Sequence, residues 1–125
     1  MNRHTARENA FKILFQLDMN DDQLEEIEDD TDSIQVDDYG SKLVQGVREK
    51  REELDETIST HLEKWTINRI ASVEKTVLRI SLYEIKYLDD VPTNVSINEA
   101  VELANRYGEE KSGKFVNGVL SKIIS

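Results

Sequence analysis

Residues 73–88 read VEKTVLRISLYEIKYL and hold more apolar side chains than one face of a helix can carry. The apolar positions recur at helical spacings and cover several sides: Val77, Leu78, Ile80, Leu82, Ile85 and Leu88. A helix that is apolar on several sides must be covered by other elements on those sides. The stretch therefore predicts a central helix with further helices packed around it.

The rest of the chain also favours helices, because its 125 residues include only five Gly and one Pro, too few for a fold of many strands. Apolar spacing predicts a first helix over about residues 4–17 and a long helix over about 38–64, with one gap in its pattern at Lys50 and Arg51. A last helix is expected from about Ser112.

Local signals predict where some of these helices start, stop and cross. Residues 96–99 have the pattern of a capping box, which would begin the helix before the last one. Gly108 is expected to end that helix in a left-handed conformation, and Gly46 and Gly118 indicate close helix packing.

These observations together predict an all-α fold, a compact helical bundle of two lobes with about seven helices. The chain has the length of one domain. We expect an N-terminal lobe over about residues 1–65 and a C-terminal lobe over about 66–125.

The negative charge of the chain is concentrated in one segment. Residues 18–38 contain 11 acidic side chains and no Lys or Arg, whereas the other residues hold 15 acids and 16 bases, within a formal net charge of −10. So acidic a segment buries little apolar surface, and we predict a loop with at most one short helix. Basic patches elsewhere leave a nucleic-acid partner open.

Several classes of chemistry are excluded or disfavoured. The chain has no Cys, which excludes disulfides, cysteine-bound zinc and thiol nucleophiles. It lacks spaced His metal motifs, a Gly-rich phosphate loop and a nucleophile elbow. Arg79 and Glu84 are better interpreted as a structural ion pair than as a catalytic pair. We expect no catalysis, cofactor or metal, and, without an apolar leader or span, a cytoplasmic protein without a membrane partner.

Two basic stretches suggest anion binding. One is the N-terminus, with Arg3, His4 and Arg7, and the other is the start of the last helix, with Lys111 and Lys114 next to an aromatic residue, Phe115. Helix N-termini and cations bind phosphates, and aromatic rings stack on unpaired bases. We expect the two stretches to form one surface for single-stranded RNA; the alternative is a solvated helix end beside core aromatics.

The order of motifs along the chain resembles that of the NusB family of bacterial transcription antitermination factors. The motifs that carry the resemblance are RHTARENA (3–10), LVQGV (43–47), HLEKW (61–65), VEKTVLRI (73–80) with YE (83–84), VPTNVSINEAVELA (91–104) and KFVNGVL (114–120). The similarity covers nearly the whole chain outside residues 18–38.

This resemblance implies an all-α, two-lobed protein without catalysis that binds boxA-type single-stranded leader RNA together with NusE, a small-subunit ribosomal protein. The complex would join RNA polymerase and other Nus factors in an antitermination assembly. By position, the RNA-binding residues would be Arg3, His4, Arg7, Lys111, Lys114 and Phe115. The surface that faces NusE would include Phe15 and Glu74.

Two alternatives remain at this stage. The chain could be an RNA-binding domain related to the N-terminal part of ribosomal RNA cytosine methyltransferases, or a self-associating helical module that forms a homodimer. The RNA register and affinity, the oligomeric state and the role of the acidic loop stay open. So does whether Phe11 and Phe15 face RNA, NusE or the core.

Overall fold

The computed structural model describes residues 2–19, 34–63 and 66–125. These residues form α1 (Arg3–Met19), α2 (Asp38–Glu49), α3 (Arg51–Thr60), a 3-10 helix (Ile67–Arg69), α4 (Ser72–Tyr87), α5 (Thr93–Tyr107) and α6 (Ser112–Ile124), with no strand among them. The all-α prediction with about seven helices is confirmed. The interior of the acidic segment and Trp65 lie outside the described residues. None of the described helices is long and apolar enough to cross a membrane.

Helix α4 lies at the centre of the bundle, as its apolar pattern predicts. It packs against each of the other five α-helices: α1, α2, α3, α5 and α6. Its side chains Val77, Leu78 and Leu82 are fully buried. One apolar core therefore extends through both of the lobes that the sequence suggests.

Ion pairs define how α1 lies on α4. Arg7, near the start of α1, pairs with Glu84, near the end of α4. Asp18, near the end of α1, lies 3.8 Å from the amino group of Lys75, near the start of α4. The two helices are therefore antiparallel, and the N-terminal end of α1 lies beside the C-terminal end of α4.

The predicted long helix over residues 38–64 is divided into two. Lys50 separates α2 from α3 with φ of −102° and ψ of 12°, at the gap in the apolar pattern. Beyond it, Leu54 and Ile58 are fully buried. Beyond the break, α3 packs against α4 and α6, and burial of these two side chains stabilises that position.

The prediction of a capping box at residues 96–99 is wrong. Helix α5 begins at Thr93, directly after Pro92, so that Ser96 lies inside the helix. The Ser96 hydroxyl is buried and donates to Oε1 of Glu84 at 2.8 Å. A buried carboxylate requires hydrogen-bond donors. The Ser96 hydroxyl is one of the donors to Glu84, and so it does not cap a helix.

The glycines give mixed outcomes. A Cβ on Gly46 would lie 2.1 Å from the Tyr83 ring, which confirms a close crossing of α2 and α4. Gly108 has φ of −99°, so the left-handed stop is wrong. A Cβ added at this position would lie 2.7 Å from the Ser112 side chain, so lack of space explains why the residue is glycine. Gly118 is exposed, and a Cβ there would meet nothing within 4 Å, so the prediction of tight packing is also wrong.

Arg79 and Glu84 are both buried and ion-paired, but not with each other. Arg79 makes a bidentate contact with Asp55 of α3: Nε donates to Oδ1 at 2.7 Å, and Nη2 donates to Oδ2 at 2.9 Å. Five positions apart on one helix, Arg79 and Glu84 are about 140° apart around its axis. Arg79 therefore pairs with Asp55 of α3 and with Asp18 near the end of α1, whereas Glu84 pairs with Arg7 near the start of α1.

Candidate nucleic-acid interface

The first predicted basic group, at the start of α1, is neutralised by acidic side chains. The Arg7 Nε donates to Oε2 of Glu84 at 2.7 Å, and both side chains are almost entirely buried, with 4% and 1% exposed. A second Arg7 nitrogen, Nη1, lies 3.4 Å from Oε1 of Glu99 on α5. Arg7 thus joins α1 to α4 and α5, and its guanidinium is not accessible to RNA in this structure.

Glu84 is the acceptor at the centre of a buried polar network. Its Oε2 accepts a short hydrogen bond from the Tyr39 hydroxyl as well as the Arg7 contact, and its Oε1 accepts from Ser96. Ser96 also contacts the Ser81 hydroxyl at 2.9 Å. Burial, together with the hydrogen bond to the Glu84 carboxylate, raises the pKa of Tyr39 above its ordinary value. The network connects α1, α2, α4 and α5, and we interpret its role as stabilising their packing.

His4 and Arg3 also face carboxylates. The His4 Nδ1 lies 2.8 Å from Oε2 of Glu99, and Nε2 lies 3.7 Å from Oε1 of Glu102. The hydrogen bond with Glu99 raises the pKa of His4 above its usual 6.5. Arg3 pairs with Asp90, in an exposed contact, and its guanidinium lies 4.6 Å from the centre of the Tyr39 ring.

His4, Glu99 and Glu102 could in principle hold a cation, because one ligand atom from each lies within 4.8 Å of the others. The surrounding charges oppose this use. Arg7 contacts Glu99, and an Arg106 nitrogen lies 3.9 Å from Glu102. These positive groups satisfy the carboxylates that a metal would need.

The second predicted basic group, at the start of α6, is arranged differently. Lys111 and Lys114 are exposed, and neither forms an ion pair with any residue in the described part of the chain. Between them, Ser112 and Gly113 are buried against the end of α5, where a Cβ on Gly113 would lie 2.1 Å from the Asn105 side chain. The packing fixes the start of α6 while leaving the two amino groups in solvent.

Phe115 separates two grooves on this face of the molecule. It is half-buried and packs against the core. The α4–α6 groove, with a volume of about 260 Å³, is lined by Arg69, Ile70, Glu74, Lys111 and Phe115. The α3–α6 groove, about 240 Å³, is lined by His61, Leu62, Glu63, Lys114, Phe115, Gly118, Val119 and Lys122. An aromatic ring between two open, partly cationic grooves is suited to stacking on a base while cations hold phosphates.

The two basic groups lie against different parts of α4. Arg7 is bonded to Glu84, whereas Lys111 shares a groove with Glu74. These two glutamates lie ten residues apart on α4, which is about 15 Å along a helix axis. Of the cations predicted to bind RNA, Lys111 and Lys114 have no ion-pair partner among the described residues, whereas Arg3 and His4 pair with Asp90 and Glu99. The candidate interface is therefore centred on Lys111, Lys114 and Phe115.

The two residues expected to face NusE lie toward the same end of the molecule as this interface. Phe15 is half-buried and stacks on Phe11, with ring centroids 5.7 Å apart. Phe11 itself is 2% exposed and belongs to the core. Glu74 lies in the first turn of α4, where Oε1 accepts from the Ala71 amide at 3.3 Å.

Sequence reasoning did not identify three groove residues: Arg69, His61 and Lys122. Arg69 had a usable signal, since a basic side chain directly before a predicted helix start adds to the positive field there. His61 and Lys122 had none, because only the packing of α3 against α6 brings them to the same groove.

Comparison with known proteins is consistent across the whole chain. A transcription antitermination protein NusB from Oceanobacillus iheyensis is 60% identical, with 100% of both chains covered. The NusB protein of Bacillus subtilis is 50% identical over 100% of this chain and 96% of its own length. Both relatives are matched along nearly their full length, which does not favour the methyltransferase alternative. Their shared name agrees with the prediction of a protein without catalysis.

Solved structures give the same result for the fold. NusB of T. maritima superposes with a TM-score of 0.86 at 39% identity, covering 98% of this chain and 90% of that one. A solved complex of antitermination factors NusB and NusE with dsRNA contains a chain with a TM-score of 0.82 and 33% identity, covering 97% and 94%. The sequence model of the NusB family matches residues 4–125, and the chain belongs to that family.

Proposed function

We propose that this protein is a non-catalytic transcription antitermination factor that binds boxA-type single-stranded leader RNA together with NusE. In this role it joins RNA polymerase and the other Nus factors in the cytoplasm and supports transcription of ribosomal RNA. The observation that carries the proposal is the start of α6, where two exposed lysines without ion-pair partners in the described residues lie next to a half-buried phenylalanine. The solved complex of a 33% identical chain with NusE and dsRNA supports the choice of partners.

The residues predicted to bind RNA take different parts in this proposal. Lys111 and Lys114 bind phosphates, and Phe115 stacks on a base. Arg3 and His4 contribute less, because carboxylates already neutralise them. Arg7 acts through the fold by holding α1 against α4.

The proposed NusE surface includes Phe15 and Glu74. Because Lys111 and Phe115 share a groove with Glu74, NusE bound there would lie beside the RNA. We therefore propose that the chain acts as one domain, with RNA and NusE bound at neighbouring positions. A homodimer that uses the same face would compete with both partners.

The test is the double substitution Lys111→Ala/Lys114→Ala, measured by fluorescence anisotropy with boxA-type RNA and NusE. Loss of two phosphate contacts should weaken binding at least tenfold at moderate salt and reduce the slope of log K against log salt by about 2. The charge-matched control is Lys42→Ala/Lys50→Ala, on α2 and the turn after it, which should bind like the wild type.

Equal affinity of the two double variants would contradict the proposed surface. The same RNA annealed to its complement is a second probe, because the related solved complex contains duplex RNA. Preference for the single strand is expected, since only unpaired bases are free to stack on Phe115.

A further inference from the structure

Gly118 is a glycine that the fold does not explain. It lies inside α6, and a Cβ added to it would meet nothing within 4 Å. The contrast with Gly46 and Gly113 is clear, since a Cβ at either position would come within 2.1 Å of a neighbouring side chain. Glycine in an exposed helix interior costs about 1 kcal/mol relative to alanine. Its presence at position 118 therefore points to something outside the chain that approaches the backbone closely.

The surroundings of Gly118 indicate the chemistry of that ligand. Gly118 lines the α3–α6 groove between Lys114 and Lys122. These residues are spaced by four along α6 and so form one row on its surface, with the two lysines about 12 Å apart along the axis. Lys114 has no ion-pair partner among the described residues, and Lys122 has only the exposed Glu63, at 2.9 Å. The row is suited to a polyanion that crosses the helix at its glycine.

The other wall of the groove presents a histidine with a defined tautomer. The His61 Nδ1 lies 2.8 Å from the backbone carbonyl of Thr57. A carbonyl oxygen only accepts, so Nδ1 carries the hydrogen and Nε2 of the neutral ring is an acceptor. A ribose 2′-hydroxyl or a base amino group would donate to it. Phe115, at the end of the groove, supplies a ring for stacking.

We propose that the α3–α6 groove carries a second stretch of the RNA, which continues past Phe115 and passes over Gly118 with its phosphates at Lys114 and Lys122. The inference rests on the proposed function, because it extends the path of the same RNA. It assigns Gly118 to recognition: without a side chain, the helix backbone lies close enough for the nucleotide to pack on it.

The test compares Gly118→Leu with Asn117→Leu, an exposed neighbour on α6 that does not line the groove. Binding is measured by anisotropy with NusE present, for a boxA-type RNA and for the same RNA extended at both ends. Gly118→Leu should weaken binding of the extended RNA roughly tenfold, which is the loss expected for about one stacked base or phosphate contact. Asn117→Leu should not, and thermal unfolding should show both variants folded.

Two further variants keep the test interpretable. Gly118→Ala should raise the unfolding temperature, because no atom obstructs the new methyl group, while still weakening binding of the extended RNA. Lys122→Ala should lower the salt slope for the extended RNA by about 1, as expected for one phosphate contact.

Each contrary outcome is distinguishable. If the wild type with NusE binds RNA and both Gly118 variants bind equally well, the second stretch is wrong and the proposed function stands. If Gly118→Leu loses NusE in the absence of RNA, the groove is a protein site and the inference is overturned. If the wild type with NusE fails to bind boxA-type RNA, the proposed function fails, and this inference with it.

Discussion

The two predicted basic groups, at the starts of α1 and α6, both contain closely spaced cations, but their surroundings differ. At the start of α1, Arg3, His4 and Arg7 each face a carboxylate. At the start of α6, Lys111 and Lys114 face solvent. The first group stabilises the contacts of α1 with α4 and α5, whereas the second leaves its charge available to a ligand. A cation in the sequence therefore indicates RNA binding most strongly where the fold leaves it without a carboxylate partner.

The largest effect that would separate the two regions is expected on stability. Arg7→Met should lower the free energy of unfolding by about 3–5 kcal/mol, because it leaves Glu84 buried without a countercharge. Lys114→Met, in the exposed group, should change it by less than about 0.5 kcal/mol. Urea denaturation followed by circular dichroism measures both values.

The Arg7 prediction has its own control. In Arg7→Met/Glu84→Gln the charge without a partner is removed, so part of the lost stability should return. A loss below about 1 kcal/mol in the single variant would mean that water reaches Glu84 and that the two basic regions are less different than the structure indicates.

An intermediate effect is expected from pH. The pKa of His4 is raised above 6.5, mainly by the hydrogen bond with Glu99 and further by the charges of Glu102 and Glu8. Partial burial of the ring acts in the opposite direction. Arg7 also contacts Glu99. A raised pKa means that protonated His4 stabilises the folded chain fully below about pH 6.5 and that this contribution is lost as pH rises through the folded-state pKa.

The measurement is the unfolding temperature of wild type and His4→Gln at about pH 5.5 and about pH 8.5. The wild type should exceed the variant at the lower pH, and the difference should shrink at the higher one. A difference that grows with pH would show that neutral His4 is the stabilising form. Histidine NMR titration gives the pKa directly.

The smallest effect is expected at Arg3, whose pair with Asp90 is exposed. Arg3→Ala should lower stability by less than about 1 kcal/mol, as exposed ion pairs contribute little. Its effect on RNA affinity should be about twofold or less, well below that of Lys114→Ala. If the two substitutions weaken RNA binding equally, the N-terminal group belongs to the interface after all.

The parts of the fold that the sequence predicts are those set by local pattern. Residues 73–88 are apolar on several sides, and the structure covers α4 on several sides. The start of the last helix at Ser112 is also confirmed. The division at Lys50 was visible only as a gap in the apolar pattern, since neither Gly nor Pro marks it. Burial of Leu54 and Ile58, which come after the break, favours it. A cause of this kind leaves no stronger signal in the sequence around Lys50.

The candidate site shows the same division between local and distant causes. Lys111 and Lys114 were identified from their place at a predicted helix start, and the structure leaves both exposed. The burial of Arg7 has no such local signal, because its partner Glu84 is 77 positions away in the chain. A helical wheel places Arg7 beside the core stripe, and only the packing of α4 and α5 closes over it. Likewise, Ser96 fits a capping box locally until Glu84 requires its hydroxyl.

The break at Lys50 also limits the length of the helices that pack on α4. A straight helix through residues 38–60 would be about 35 Å long, whereas the 16 residues of α4 extend about 24 Å. An unbroken helix would therefore be longer than the central helix on which it packs. With the break, α2 and α3 each pack on α4, and α3 also contacts α6. The break therefore helps to set His61 and Leu62, which follow α3, as the wall of the α3–α6 groove opposite α6.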